Sequence, residues 1–318
     1  MLALSVYVAI VIILAGIRKF QESKWLKCLN NIKLSNKIVI VTGANSGIGY
    51  EITKELAKRE AEVVLACRNV QAAQEAIYKI KQIYPKANLV PLELDLSSLK
   101  SIKSFIEEVS RRYMHIDILI NNAGVSYPPS CNKKTKNGFE IHMGVNHLGH
   151  FYLTTRLLHK LEEVEQSRIV VITSKLHEKG VIDVEDLNNE KKQSSTLYAN
   201  SKLANAYFSR ELSKRTKVNT YACCPGWVYT NLFRHHSIPW YKYIFILPIA
   251  WLFLRSPEQG AQTPIYCATE PNLLSESGYM YRDCQKYKSR VNFDDEVSRK
   301  LWEKSEEMIE DKIKELND

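Results

Sequence analysis

The chain of 318 residues is 45% hydrophobic, ample core material for one large domain or two small ones, which excludes a disordered chain. Counts of 12 glycines and 10 prolines exclude collagen-like and linker-rich architectures, and no repeat of about 20 to 50 residues points to a solenoid or propeller. The net charge of +9 does not mark a nucleic-acid binder, because basic and acidic residues interleave and no aromatic-studded basic run occurs.

Residues 2–17 (LALSVYVAIVIILAGI) carry no charge. At ~1.5 Å per residue they make a helix of about 24 Å, marginal against a bilayer core of ~30 Å. Arg18, Lys19, Lys24, Lys27, Lys33 and Lys37 follow, opposed only by Glu22. Charge after the apolar run, with no small-residue cleavage site, favours an uncleaved membrane anchor over residues 1–20 above a cleaved signal or a buried helix. The basic flank then places the body of the chain on the cytoplasmic side. The seven cysteines are odd in number and form no CxxC pair, which indicates reduced thiols and no zinc knuckle or disulfide framework.

From residue 37 apolar, β-rich runs alternate with amphipathic stretches. The strands read as 37–42, 62–67, 89–94, 116–121, 168–173 and 219–224, with helices opening at Gly47 and covering 72–84, 98–112, 138–160 and 196–214. Near-continuous apolar strands separated by helices predict a doubly wound α/β fold of Rossmann type, a single domain with a parallel sheet covered on both faces. The tail 294–318 carries Val297, Leu301, Trp302, Met308, Ile309, Ile313 and Leu316 near one helical stripe and reads as a surface-docked amphipathic helix.

The first strand runs into Thr42, Gly43, Ala44, Asn45, Ser46, Gly47, Ile48 and Gly49, a strand–turn–helix signature spaced GxxxGxG. Glycines there permit the tight turn and a close approach of backbone to pyrophosphate, while the helix N-terminus offers unpaired N–H groups to phosphate. About 20 residues on, an acid would accept a ribose 2′-hydroxyl and an arginine a 2′-phosphate. Cys67 and Arg68 stand at that place, so NADP(H) is the expected cofactor. Asp95 and Leu96 follow the third strand and are placed at the adenine pocket. Asn122, Ala123 and Gly124 follow the fourth, where a plain turn would use the same residues.

Tyr198 and Lys202 lie one turn apart on the sixth predicted helix and emerge from one face. An ammonium ~4 Å from a phenol, at an effective dielectric of ~20, favours the phenolate by ~4 kcal/mol, about three pKa units. An acid near neutrality is therefore expected, suited to protonating a carbonyl oxygen. A surface YxxxK pair would be commonplace, but this one is preceded by Ser174 at the carboxyl end of a strand, where doubly wound proteins bind ligands. Ser174 lacks the G-x-S-x-G elbow of a nucleophile and is assigned to hold the substrate oxygen. His142, His147 and His150 have no acidic or cysteine partner at ligand spacing, and no metal is assigned.

The series TGANSGIG (42–49), NNAG (121–124), Ser174, YANSK (198–202) and PGWVYT (225–230) resembles the short-chain dehydrogenase/reductase family over roughly residues 35–290. LACRN, NGFEIHMGVNHLGHF, YANSKLAN and SPEQGAQT look like its retinol dehydrogenase 11 to 14 branch, whose members also carry an N-terminal membrane segment. The resemblance implies that Asn146 completes a proton relay through Lys202. It also implies that Lys202 binds the nicotinamide ribose and that Pro225, Gly226, Val228 and Thr230 contact the nicotinamide end. It implies NADPH-dependent interconversion of retinal and retinol, or of related lipid carbonyls such as sterols, polyprenals or medium-chain aldehydes, at the endoplasmic reticulum facing the cytosol. The alternative from another class is a catalytically idle NADPH-binding scaffold at the membrane. Thr173, where serine is commoner, is a mild departure. The almost wholly apolar run 238–254, with Lys242 its one charge, reads as a lipid-facing lid over the substrate that also dips into the membrane, the rival being a core helix or an oligomer contact. A homodimer is left open.

Overall fold

A computed structural model describes the backbone of residues 2–190, 196–230, 232, 234 and 250–317, and the side chains of those from residue 12 onward except Pro129 and Asn317. Strands β1 (Ile38–Thr42), β2 (Glu62–Cys67), β3 (Asn88–Glu93), β4 (Ile118–Asn121), β5 (Arg168–Ile172) and β6 (Asn219–Cys224) pair in parallel in the order β3-β2-β1-β4-β5-β6. Beyond β6 lie β7 (Met280–Arg282), also parallel, and the short antiparallel β8 (Gln285–Lys286). The predicted fold class is the observed one, a single domain in which strand order reverses between β1 and β4. At such a switch point the carboxyl ends of the strands open a crevice.

The two faces follow from strand alternation. Val39, Val41 and Val63 point to a layer built from Ile52 and Leu56 of α2 (Gly47–Lys58), Ala76 and Ile80 of α3 (Val70–Ile83), and Ala261 and Ile265 of α7 (Pro257–Thr269). Ile40, Val64 and Leu119 point the other way. They meet Phe105 of α4 (Leu99–Arg112), Leu157 of α5 (Gly149–Glu162), Phe208 of α6 (Leu197–Arg215) and Leu301 of α8 (Asp295–Asn317). Burial on both faces is why these strands read as unbroken apolar runs. The predicted tail helix is α8, docked through Trp302, which meets the rings of Phe151 and Phe208 at 4.8 and 5.8 Å.

Three features differ from expectation. The helix expected at 138–160 opens with a π-helical turn, Met143–Leu148, before α5. A Cβ on Gly144 would lie 2.4 Å from the Thr135 methyl and one on Gly149 2.7 Å from the Leu96 carbonyl, so glycines at both ends of the turn let it press against its neighbours. Secondly, α7, β7 and β8 were not anticipated; α7 begins with a capping box between Ser256 and Gln259 and Pro257 in its first turn, but Pro264 sits inside it and masks the period.

Thirdly, the N-terminal helix α1 (Leu2–Ser23) runs past the apolar stretch into Arg18, Lys19 and Glu22. Residues 24–37 then strap the body: Arg59 bonds the Asn30 side chain and carbonyl at 2.6 and 2.7 Å, and the Cys28 amide donates to Gln262 at 3.1 Å. Among the described residues no helix is long and apolar enough to cross a membrane. Most of the apolar run 238–254 lies outside the described residues; residues 250–253 are helical.

Candidate active site

The switch point opens into a cleft of about 1020 Å³ lined by residues from every sequence motif. At one end Gly43, Asn45, Ser46, Gly47, Ile48 and Gly49 form the turn from β1 into α2, with Arg68, Asp95 and Leu96 beside them. Gly43 and Gly47 have φ of +65° and +56°, a region costly for other residues. A Cβ on Gly49 would fall 2.3 Å from the Gly43 carbonyl and 2.5 Å from Asn122 Nδ2. Ser46 occupies the N-cap of α2 without using its side chain on the first turn, which leaves that turn's N–H groups to an anion. The turn is held from behind: Asn122 Nδ2 donates to the Thr42 carbonyl at 2.8 Å, and the buried Cys67 thiol, pushed up to about 11 by burial, accepts from the Ala44 and Asn45 amides.

Among the described residues, six basic ones line the cleft, Arg68, Lys133, Lys134, Lys136, Lys202 and Arg234, against one acid, Asp95. Burial opposes ionisation of Asp95, but Lys136 at 2.9 Å and Ser97 at 2.7 Å outweigh it and hold the carboxyl below its usual range. Arg68 is exposed and makes no ion pair among the described residues. A glycine turn over a free helix N-terminus, in a basic cleft, fits a dinucleotide bearing phosphates.

At the other end Ser174, Tyr198, Lys202 and Gly124 converge with Pro225, Gly226, Val228 and Thr230. Ser174 stands two residues beyond β5 and caps the short helix Lys175–Lys179, accepting the Leu176 amide at 3.2 Å. Its hydroxyl lies near enough to that of Tyr198 to favour the phenolate. Lys202, 3% exposed, donates to the Ile172 carbonyl at 3.0 Å, with Nζ 5.8 Å from the Tyr198 ring centre. Thr173 holds the Lys202 backbone carbonyl at 2.9 Å, so threonine serves in place of the commoner serine.

The expected near-neutral phenol is corrected here. Burial raises the Tyr198 pKa, the nearby Ser174 hydroxyl only partly offsets it, and burial also lowers Lys202, to about 8. Desolvation penalises both charged forms, and the ammonium stands 5.8 Å from the ring centre. Tyr198 is therefore held as a protonated donor.

Asn146 sits in the π-helical turn, fully buried, and its amide is spent on protein: Nδ2 donates to Val125 and Ser201 at 3.1 and 3.0 Å, and Oδ1 accepts from the Val125 amide at 2.8 Å. A Cβ on Gly124 would meet Asn146 Oδ1 at 3.3 Å and Lys202 Nζ at 3.7 Å, so the glycine lets the two approach the same spot. Reasoning from sequence missed His150. The Thr42 hydroxyl accepts the Asn122 and Ala123 amides, both at 2.9 Å, and so must donate; His150 Nε2 is 2.9 Å away. That leaves the proton on Nδ1, which donates to the Asn146 carbonyl at 3.0 Å, while burial keeps the ring neutral, its pKa lowered to about 3. His150 thus ties the first strand to the turn carrying Asn146. Lys133, Lys134 and Lys136 were also missed, since nothing in their spacing places them at the cleft.

A family model described as short chain dehydrogenase matches residues 37–238. The chain belongs to the short-chain dehydrogenase family. It is 41% identical to retinol dehydrogenase 11 of Mus musculus, covering 97% of this chain and 97% of the relative. It is 41% identical to retinol dehydrogenase 14 of the same species, covering 87% and 86%. Among solved structures, an uncharacterised protein from Mycobacterium paratuberculosis is 29% identical with a TM-score of 0.68, covering 88% of this chain and 95% of that one. Salutaridine reductase from Papaver somniferum shares the fold at a TM-score of 0.60 and 22% identity, covering 77% and 99%. This family member is accordingly an oxidoreductase acting on CH–OH groups, with a nicotinamide cofactor and a small-molecule substrate.

Proposed function

We propose that the chain interconverts a lipophilic aldehyde or ketone and its alcohol with NADP(H), retinal and retinol being the first candidates. The observation that carries the reading is the convergence of Ser174, Tyr198 and buried Lys202 in one cleft with the glycine turn. When bound, the cofactor supplies or takes up hydride. Ser174 orients the substrate oxygen, Tyr198 donates or accepts its proton, Lys202 stabilises the resulting phenolate and Asn146 keeps the relay behind it. Tyr198, Lys202, Asn122, Ala123 and Gly124, with the glycine turn and Pro225, Gly226, Val228 and Thr230, are assigned to the cofactor; Arg68 is assigned to its 2′-phosphate. The basic cleft supports the phosphorylated dinucleotide.

The retinoid assignment is supported by the names of the relatives, and greasiness by Leu232 and Leu254 at the cleft. An anchor at residues 1–20 ahead of the catalytic domain, with attachment to the endoplasmic reticulum facing the cytosol, is supported by the basic flank. Ile12, Ile13, Ile17 and Phe20 on α1 and Trp251 and Phe253 opposite are exposed, as a membrane-facing surface would be. Turnover of retinal, medium-chain aldehydes, sterol ketones and polyprenals with NADPH tests the substrate class. Retinal turnover that Tyr198→Phe lowers at least ~100-fold with cofactor binding intact is expected. Turnover surviving in Tyr198→Phe would refute the mechanism, and preference for another carbonyl would move the substrate.

A further inference from the structure

The strap that follows α1 reaches the working end of the cleft. Trp25 is half-buried, with the Arg255 guanidinium 4.9 Å from its ring centre and that of Arg18 at 4.8 Å. Each cation has its own acid, Asp283 at 2.5 Å from Arg255 and Glu22 at 2.7 Å from Arg18, so the ring is clasped by two neutralised pairs. Arg255 is only 4% exposed and lies directly beneath the turn 225–230. Its amide donates to the Trp227 carbonyl at 2.7 Å, its carbonyl accepts the Tyr229 amide at 2.9 Å, and its guanidinium reaches the Pro225 carbonyl at 3.4 Å. Gly226, at φ +83°, rests on that guanidinium: a Cβ there would stand 2.7 Å from Nε. On the other side Arg18 donates to the Trp251 and Leu254 carbonyls at 2.6 and 2.7 Å, capping the helical end of the segment whose Leu254 lines the cleft.

We propose that Arg18 and Trp25 are positioning residues for catalysis: they hold the turn 225–230 and the segment 250–254 in place over the cleft, so that the N-terminal segment is a working part of the catalytic body. This rests on reading the cleft as the cofactor and substrate site. The consequence is that displacement of α1 alters cofactor binding even when the membrane plays no part.

The test uses the full chain in detergent micelles. In Trp25→Leu, which keeps apolar bulk and removes the ring's affinity for cations, the Tyr229 and Arg255 amides should exchange with deuterium about 5- to 30-fold faster without any cofactor, a fold-change set by the usual strength of such contacts. Amides of β4 and β5 should be unaffected. The dissociation constant for NADPH should rise by a similar factor, with KM for NADPH following and kcat at saturation within about twofold. Trp25→Phe should restore much of the protection. Arg18→Ala should speed exchange at the Leu254 amide, which is bonded to the Ala250 carbonyl at 2.7 Å. Unchanged exchange at Tyr229 and Arg255 in Trp25→Leu, or faster exchange spread evenly over the sheet, would overturn the proposal. Failure of the functional reading looks different: wild-type protein turns over no carbonyl while the exchange contrast persists.

Discussion

Lys202 provides the sharpest test of how the site is built, because its burial sets function against stability. In the ligand-free chain burial lowers its pKa from 10.5 to about 8. At ~1.36 kcal/mol per unit, holding the ammonium in the folded protein costs about 3 kcal/mol at pH 7. The sign follows from proton counting. Between about pH 8 and 10.5 the unfolded lysine keeps a proton that the folded one has lost, so wild-type stability climbs with pH across that window. Lys202→Met removes the ammonium and loses one hydrogen bond worth ~1 kcal/mol. The Ile172 carbonyl keeps a donor, because Asn205 also reaches it at 3.3 Å. The variant should therefore be inactive yet about 2 kcal/mol more stable at pH 7, with a Tm higher by ~3 °C. Its advantage should shrink above pH 8 and vanish near pH 10, where the falling penalty on the ammonium no longer exceeds the lost hydrogen bond. Thermal or urea denaturation across pH 6.5 to 10.5 without cofactor measures this. A less stable Lys202→Met at pH 7, or a gap that does not change with pH, would refute the reasoning.

The same group should appear in kinetics: kcat/KM for carbonyl reduction is expected to fall above about pH 8 as the Lys202 ammonium is lost, and a profile flat to pH 9.5 would contradict that role. Gly49→Ala places a methyl 2.3 Å from the Gly43 carbonyl, so cofactor binding measured by calorimetry should be lost along with about 1–3 kcal/mol of stability by denaturant titration. Arg68→Ala should weaken NADPH by ~10- to 100-fold, the worth of a charge-assisted bond, and leave NADH within about twofold. Equal losses for the two cofactors would assign the 2′-phosphate elsewhere, with Lys136 as the next residue to change.

The sheet was legible because its central parallel strands are buried on both faces and read as apolar runs, and because the glycine turn and YxxxK pair carry their own spacing rules. What escaped has physical causes. The segment Pro257–Thr269 hides its helical period behind Pro264, although its Ser256–Gln259 capping box was readable. The π-helical turn at Met143–Leu148 depends on Gly144 and Gly149 pressing against Thr135 and Leu96, contacts between distant parts of the chain that no local pattern reports. The strap is similar: Trp25 and Arg255 lie 230 positions apart, and only the fold shows that they meet.

The reversal at Tyr198 carries the more general lesson about the chemistry. Spacing alone brings a phenol and an ammonium to one helix face and, in a polar medium, predicts a phenol acidified by its neighbour. The fold instead buries the lysine, spends its Nζ on the Ile172 carbonyl and leaves it 5.8 Å from the ring centre, so the charged form of each partner pays for desolvation. A phenol with its pKa raised stays protonated at rest but is a weak acid, so giving up its proton needs help from its neighbours. The ammonium matters at the next moment, when proton donation leaves a phenolate in a site with few other ways to stabilise it. Neighbouring cation and low dielectric then act together, since the attraction between opposite charges grows as the surroundings become less polar. The pair is thus arranged for the charge that develops during reduction rather than for the resting state, and the cost of keeping Lys202 buried is the measurable trace of that arrangement.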